Sequence, residues 1–296
     1  MKRSGIVLII VSAFLWGISA GISTHLINNG HPPLIIAFLR GFLGLPFFIL
    51  WSLRLSMRRV LQWNQWSWLA GAGVIGNFTF YLLSIDAASL PVATTLVYTA
   101  PIFVLLISLL SGYEKSSLSK WLHVFVVMGG IVLLTQIYDF NNTPVSYAGI
   151  AYGILSGLSY TVFIFAFKKA SKTRDVGISL LHAFLVFSLI LGVMINPSDA
   201  ARAFISVDFG WFILLGFLGA GLSFSLYLYG LRHTLPTTTA LVAMIEPVTA
   251  SLIGIIIFNN YLNAIQGLGM LIILITIAHY SFIKQSRIKP LKSIKK

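Results

Sequence analysis

A carboxylate stands in the middle of an apolar run. The run is TTTALVAMIEPVTASLIGIIIF, and Glu246 is followed at once by Pro247. Read as a helix from Pro236 to Phe258, a rise of 1.5 Å per residue puts Glu246 roughly 15 Å in, near the middle of a bilayer. A charged side chain facing lipid there costs about 2.5–3.5 kcal/mol on insertion scales. It is therefore expected to face a partner, a wet cavity or a bound proton. Three chemistries fit. Glu246 could receive the amino group of a substrate. It could carry a proton, because burial favours the neutral carboxyl. It could pair with Arg40, the one basic residue within an apolar run.

Two prolines frame the same question. Pro247 lacks an N–H, which frees the carbonyl of Ala243, and Pro101 does the same to Val97. Kinked backbone at membrane depth is tolerated where protein or a water-filled cavity satisfies it. Pro101 and Pro247 are thus candidate hinges, and the freed carbonyls are candidate acceptors. A packing kink with no ligand is the simpler alternative.

Other candidates lie on helical faces. Ser12, Trp16, Ser19 and Ser23 are spaced four, three and four apart, which is one face. Ser156, Tyr160, Phe163 and Phe167 repeat the pattern with more aromatics. Trp16 and Tyr160 join an apolar body to a hydrogen-bonding tip, which suits a cavity wall. Small hydroxyls such as Ser12 and Ser19 equally suit close helix packing. Asn77 and Tyr81, one turn apart, and Tyr98, one turn before Pro101, complete the substrate-binding candidates. Ser223, Ser225, Tyr227 and Tyr229 form a further polar group. Gly71, Gly73 and Gly76 read as packing. Glu114 with Lys115 reads as a solvated or capping pair.

Much chemistry is excluded. There is no cysteine, hence no disulfide, zinc-thiolate site or cysteine nucleophile. The six histidines are scattered, with no HExxH pair and no expected metal site. No phosphate-binding Walker loop is present. No cofactor is expected.

The elements that must position these residues are membrane helices. Of 296 residues, 57% are hydrophobic and 9% charged, against about a quarter charged in soluble chains. Ten runs reach the roughly 20 residues a spanning helix needs. They cover about 5–28, 33–53, 66–86, 91–112, 118–137, 146–168, 177–195, 209–231, 236–258 and 264–283. The first imitates a signal peptide but lacks a clear cleavage site, so a retained helix is expected. Trp63, Trp66 and Trp68 read as interface anchors.

The net charge of +13 does not point to nucleic acid, because the basic residues lie between apolar runs rather than on one folded face. With the N-terminus in the cytoplasm, 18 of the 20 basic residues fall on that side, including Lys2, Arg3, Arg54, Arg58, Arg59 and the tail. Positive residues are retained there, so both termini are expected inside. The basic tail then fixes topology and touches anionic lipid.

The chain also repeats. Gly5, Ile6, Ser12 and Trp16 align with Gly149, Ile150, Ser156 and Tyr160. Leu90-Pro91 aligns with Leu235-Pro236, and Pro101 with Pro247 after a one-residue shift. The expected organisation is a five-helix repeat over 1–140, a second over 141–283, and a basic tail over 284–296. Five is odd, so the second repeat enters the membrane inverted, an architecture of carriers that bind substrate near the midplane between halves. Glu246 aligns with Ala100, so the repeat fold itself does not require the carboxylate.

Several segments resemble a known family: FLWG from Phe14, FLRG from Phe38, TAPIFVLLISLLSGYEKSSLSKW with Pro101 and Glu114, FSLYLYG, and IEPVTASLIG with Glu246-Pro247. In this order they resemble the EamA-type transporters of the drug/metabolite transporter superfamily. The resemblance implies an all-α membrane protein of ten helices in two inverted repeats. It implies a central cavity lined largely by spans one, three, four, six, eight and nine, with spans five and ten peripheral. It also implies movement of small metabolites, often amino acids and often outward. Two positions depart from the pattern: Asn260 stands where a second-repeat Glu is usual, and His123 where a glycine is usual.

The expected function is secondary transport of an amino acid or related amine or zwitterion by alternating access, as an exporter in a bacterial plasma (inner) membrane. The expected partners are a small-molecule substrate, the bilayer and a coupled proton, with the chain a monomer or homodimer. A drug or cation exporter, and a nucleotide-sugar or lipid-linked carrier, are the alternatives. A carrier of phosphates would want cations in its cavity, and only Arg40 is available. A membrane-embedded transferase would want catalytic groups on large loops. A channel would want rings of like groups.

Overall fold

The computed structural model describes residues 3–56, 60–62, 64–139 and 146–286. Arg58, Arg59, Trp63, the 140/141 boundary and the tail beyond 286 lie outside the described residues. Among the described residues, ten helices are long and apolar enough to cross a membrane: Ser4–Asn28, Pro33–Ser52, Gln65–Ala87, Leu90–Leu110, Leu118–Thr135, Tyr147–Thr173, Val176–Met194, Phe209–His233, Pro236–Phe258 and Ala264–Ser281. They are called spans one to ten. Helices are the expected answer, because in hydrocarbon every backbone polar group must be satisfied within its own segment.

Span starts are written locally. Asn64 Oδ1 accepts from the Trp66 amide at 3.1 Å, Ser146 Oγ from Gly149 at 2.9 Å, and Asp175 Oδ1 from Gly177 at 2.8 Å. Each side chain satisfies an amide that the first helical turn leaves orphaned. Spans five and nine end on Gln136 and Asn259 in the left-handed conformation, a common helix stop.

Four spans are not continuous α-helix. Span two comprises α2 (Pro33–Phe42) and α3 (Leu45–Ser52), where span one is α1 (Arg3–Asn28). Span three is α4 (Gln65–Ala87); span four comprises α5 (Leu90–Val97) and α6 (Ala100–Leu110). Spans five to seven are α7 (Leu118–Thr135), α8 (Tyr147–Thr173) and α9 (Val176–Met194). A short helix, α10 (Pro197–Phe204), follows. Span eight comprises α11 (Phe209–Leu215), a π-helical segment Gly216–Leu222 and α12 (Ser223–His233). Span nine comprises α13 (Pro236–Ala243) and α14 (Ile245–Phe258), and span ten belongs to α15 (Ala264–Ser286). The α10 helix was not foreseen among short connections. Asn196 caps its start, Pro197 opens its first turn, and Asp199 and Arg202 lie at its N- and C-terminal ends, in the order its dipole favours.

Close approaches at glycine set the packing. A Cβ on Gly71 would lie 2.5 Å from the Ala183 carbonyl oxygen, and one on Gly73 would lie 2.7 Å from the Phe163 amide nitrogen. Span three is thereby pressed against spans six and seven, which bears out the packing reading of these glycines. Gly17 brings span one onto Thr249 of span nine, and Gly230 brings span eight onto Gly5 and Ile9. Gly130 and Gly269 do the same for spans five and ten, which pair along much of their length.

Candidate functional site

Span nine breaks where the carboxylate sits. The α13 helix ends at Ala243, and Ile245 opens α14 with Glu246 in its first turn. Span four breaks at Tyr98–Thr99, and Pro101 lies in the first turn of α6. Proline lacks a donor, so the first turn is where a helix best tolerates it. Both prolines therefore restart helices rather than merely bend them.

Glu246 is only half-buried, although it lies mid-span. Its charge reaches Arg40, Tyr81, Tyr98, Tyr160 and Tyr227, which come from spans two, three, four, six and eight. Glu246 thus lies where five spans converge and keeps some accessible surface. Asn77, Tyr81, Tyr98 and Arg40 are half-buried as well.

The expected pairing of Arg40 with Glu246 is not a direct contact. Arg40 instead donates from Nε and Nη2 to the carbonyl of Gly219, at 3.1 and 2.9 Å. Gly219 lies in the π-helical segment. The same carbonyl accepts from Ser223 Oγ at 2.8 Å. A π segment widens the helix and offers carbonyls to side chains, a feature common at functional sites. A Cβ on Gly219 would lie 2.7 Å from Ser19 Oγ and 2.9 Å from Arg40 Nε, so glycine is what admits the guanidinium. Arg40 thus contributes charge to the site while its hydrogen bonds hold span two to span eight.

Of three buried polar groups near this carboxylate, Trp16 Nε1 has no hydrogen-bond partner, and the Tyr160 and Tyr227 hydroxyls have only each other. Trp16 packs on Tyr227 with ring centroids 4.9 Å apart, and Tyr160 packs edge-on against Phe163 at 4.5 Å. Buried polar groups are nearly always satisfied, so an orphaned indole N–H beside two hydroxyls paired only with each other marks a place where a ligand can supply partners.

Four other candidates make hydrogen bonds within the protein. Ser12 is fully buried and donates to the Ser223 carbonyl at 2.9 Å, while Ser19 is fully buried and donates to Leu15 at 2.8 Å. Asn77 donates to the Ser156 carbonyl and hydroxyl at 3.1 Å, and Ser156 returns a bond to the Asn77 carbonyl at 2.8 Å. Tyr81 and Thr94 share a hydrogen bond of 3.0 Å. The carbonyl freed near Pro101 lies against span six: a Cβ on Gly157 would sit 3.3 Å from the Val97 oxygen.

One end of span nine is tied down by buried contacts. Every residue of α13 is buried. Beneath it, Glu114 is neither solvated nor paired with Lys115. Its Oε1 accepts from the Thr237 amide at 3.2 Å, and its Oε2 lies 2.9 Å from Lys120 Nζ. From the other side Lys168 Nζ donates to the carbonyls of Leu231 at 2.5 Å and Arg232 at 3.2 Å, and also to that of Thr234.

A profile of the EamA-like transporter family matches residues 3–136 and again residues 147–282. The chain belongs to the EamA-like transporter family. It is similar over nearly its whole length to an uncharacterized transporter of Archaeoglobus fulgidus, with 27% identity covering 92% of this chain and 94% of that one. It is also similar to the uncharacterized inner membrane transporter YedA of Escherichia coli, with 24% identity covering 85% and 84%. A chain of known crystal structure shares the fold, with a TM-score of 0.80 at 14% identity over 98% of this chain and all of that one.

As an EamA-like transporter the chain is a membrane protein whose spans five and ten pair at the side of the bundle. His123, the departure noted in span five, is buried, and its Nε2 lies 3.0 Å from Nδ1 of His279 in span ten. Two features escaped the sequence reading. Tyr227, grouped with three other polar residues of span eight, belongs beside Trp16. His31 and Asp208, 177 positions apart, meet at 3.0 Å, and Asn29 donates to the same carboxylate at 2.9 Å. The hydrogen bond with His31, then that with Asn29, holds the Asp208 carboxyl below its usual range against the opposing effect of burial.

Proposed function

We propose that this transporter is a secondary carrier of a small amine or zwitterion, such as an amino acid, working by alternating access in a bacterial inner membrane. The carrying observation is Glu246: a half-buried mid-span carboxylate at the break of span nine, without a direct ion pair and beside the unpartnered Trp16 Nε1 and the Tyr160 and Tyr227 hydroxyls, which have only each other. Glu246 accepts the substrate ammonium or a proton. Trp16 Nε1 and the paired Tyr160 and Tyr227 hydroxyls meet the substrate carboxylate. The double match to one family profile supports two repeats, and the inner ends carrying Lys168 and Glu114 are assigned to the cytoplasm by the positive-inside rule. In this orientation the inner side is the end tied down by buried contacts, and substrate leaves Glu246 toward the outside, as export requires. The same aromatic wall beside a carboxylate suits an organic cation, which makes a cationic drug the second reading.

Counterflow in proteoliposomes tests this, with pooled amino acids and cationic drugs, with and without a proton gradient. Wild type should exchange a substrate saturably. Glu246→Gln should keep exchange and lose proton-driven accumulation if the carboxylate carries the proton, or lose both if it binds the ammonium. A variant that exchanges and accumulates like wild type would remove Glu246 from the site.

A further inference from the structure

A second polar concavity lies far from Glu246. It has a volume of about 430 Å³ and is lined by Leu55, Lys172, Thr173, Arg174, Asp175, Ile178 and Arg232. Each of these residues is within three positions of the end of span two, six, seven or eight. The hollow is therefore at the membrane surface, where four helix ends converge.

Three cations and one carboxylate share this hollow. The carboxylate is partly committed, since Asp175 Oδ1 caps Gly177. Arg174 donates from Nη1 to Gln62. Lys172 lies over the Tyr113 ring at 5.3 Å, and its charge is felt at Lys168. Cations at the last turns of spans six and eight also suit those helix dipoles, and Arg232, from the second of them, turns into the same space as Lys172 and Arg174. Leu55 and Ile178 add an apolar wall. A net positive hollow with an apolar side, level with the headgroups, matches an amphiphile with an anionic head, and basic pockets between helices on the cytoplasmic side bind such lipids.

We propose that this hollow binds the phosphate of an anionic phospholipid headgroup, with Lys172, Arg174 and Arg232 as its cationic ligands. The bound lipid would brace the inner ends of spans six and eight, where the Arg232 carbonyl is already held by Lys168.

The test uses the purified full-length protein in a neutral detergent and follows its melting temperature. Dioctanoyl phosphatidylglycerol, dioctanoyl phosphatidylcholine and inorganic phosphate are each titrated. At tenfold above half-saturation the anionic lipid should raise Tm by about 2–3 °C, and the zwitterionic lipid should not. Lys172→Gln with Arg232→Gln should abolish the shift. Arg232→Lys should retain most of it, and keeps the test usable should the double variant fold poorly. Arg202→Gln, at the opposite end of the bundle, should retain it fully. An equal shift with inorganic phosphate would overturn the lipid as the source. No shift with either, or a shift that survives in the double variant, would overturn the site.

Discussion

Lys168 and Glu114 grip opposite ends of one turn. The ammonium of Lys168 takes the last carbonyls of α12 and that of Thr234, and the carboxylate of Glu114 takes the Thr237 amide at the start of α13. Each complements the helix end it touches: a cation at a C-terminus and an anion at an N-terminus. Spans four and six thereby hold the hairpin of spans eight and nine shut. Lys168→Met should destabilise the protein by about 1.5–3 kcal/mol, the worth of hydrogen bonds to a charged group. The chain has no cysteine, so Thr237→Cys can be labelled in an otherwise native background. It should resist a membrane-impermeant thiol reagent from the inner side and become reactive when combined with Lys168→Met. Resistance in both backgrounds would show that this turn does not open.

Tyr160 and Tyr227 separate binding from folding. Their buried hydroxyls have no partner but each other, so removing one deletes a single hydrogen bond of small net worth. Tyr227→Phe should lower the melting temperature by no more than about 2–3 °C, and lower substrate affinity several-fold. A loss of stability without a change in affinity would place the hydroxyl in the scaffold.

Gly219 tests how Arg40 is held. An added methyl would meet both Ser19 and Arg40 below 3.0 Å. Gly219→Ala should cost about 1–3 kcal/mol by overpacking and reduce transport, because the guanidinium must leave its carbonyl. Gly129→Ala is the control: nothing lies within 4 Å of that position, so stability and transport should be unaffected. A silent Gly219→Ala would mean that Arg40 does not need this seat.

Asp208 predicts a response to acid. Its folded-state carboxyl is held below its usual value of 3.8 by His31, so the contact contributes stability above about pH 4. That stability is lost as the pH falls through the lowered value. Asp208→Asn should remove the acid-dependent part of the melting curve while leaving the rest in place. A variant as acid-sensitive as wild type below pH 4 would assign that sensitivity elsewhere.

The sequence by itself determined the ten helices, because backbone in hydrocarbon has no other solution and their apolar runs have the length of a bilayer. It also determined where helices start, since Asn64, Ser146 and Asp175 cap with their own side chains. The breaks at Pro101 and Pro247 were legible, for proline acts on its immediate neighbours. So was the oddity of Glu246, because burial depth follows from position along a run. Only the tertiary structure decided what these groups meet. Arg40 goes to Gly219 rather than to Glu246, because a π segment 179 positions away offers a carbonyl. Ser12 and Ser19 turn into packing, while Tyr227 turns toward Trp16. Helical periodicity says which residues share a face but not which helix covers that face. Glu114 and Lys168 read as ordinary charges near span ends until the hairpin of spans eight and nine folds between them. Such partners are brought together by helix packing, and in a chain where every face is apolar, one-dimensional pattern cannot tell lipid from neighbour.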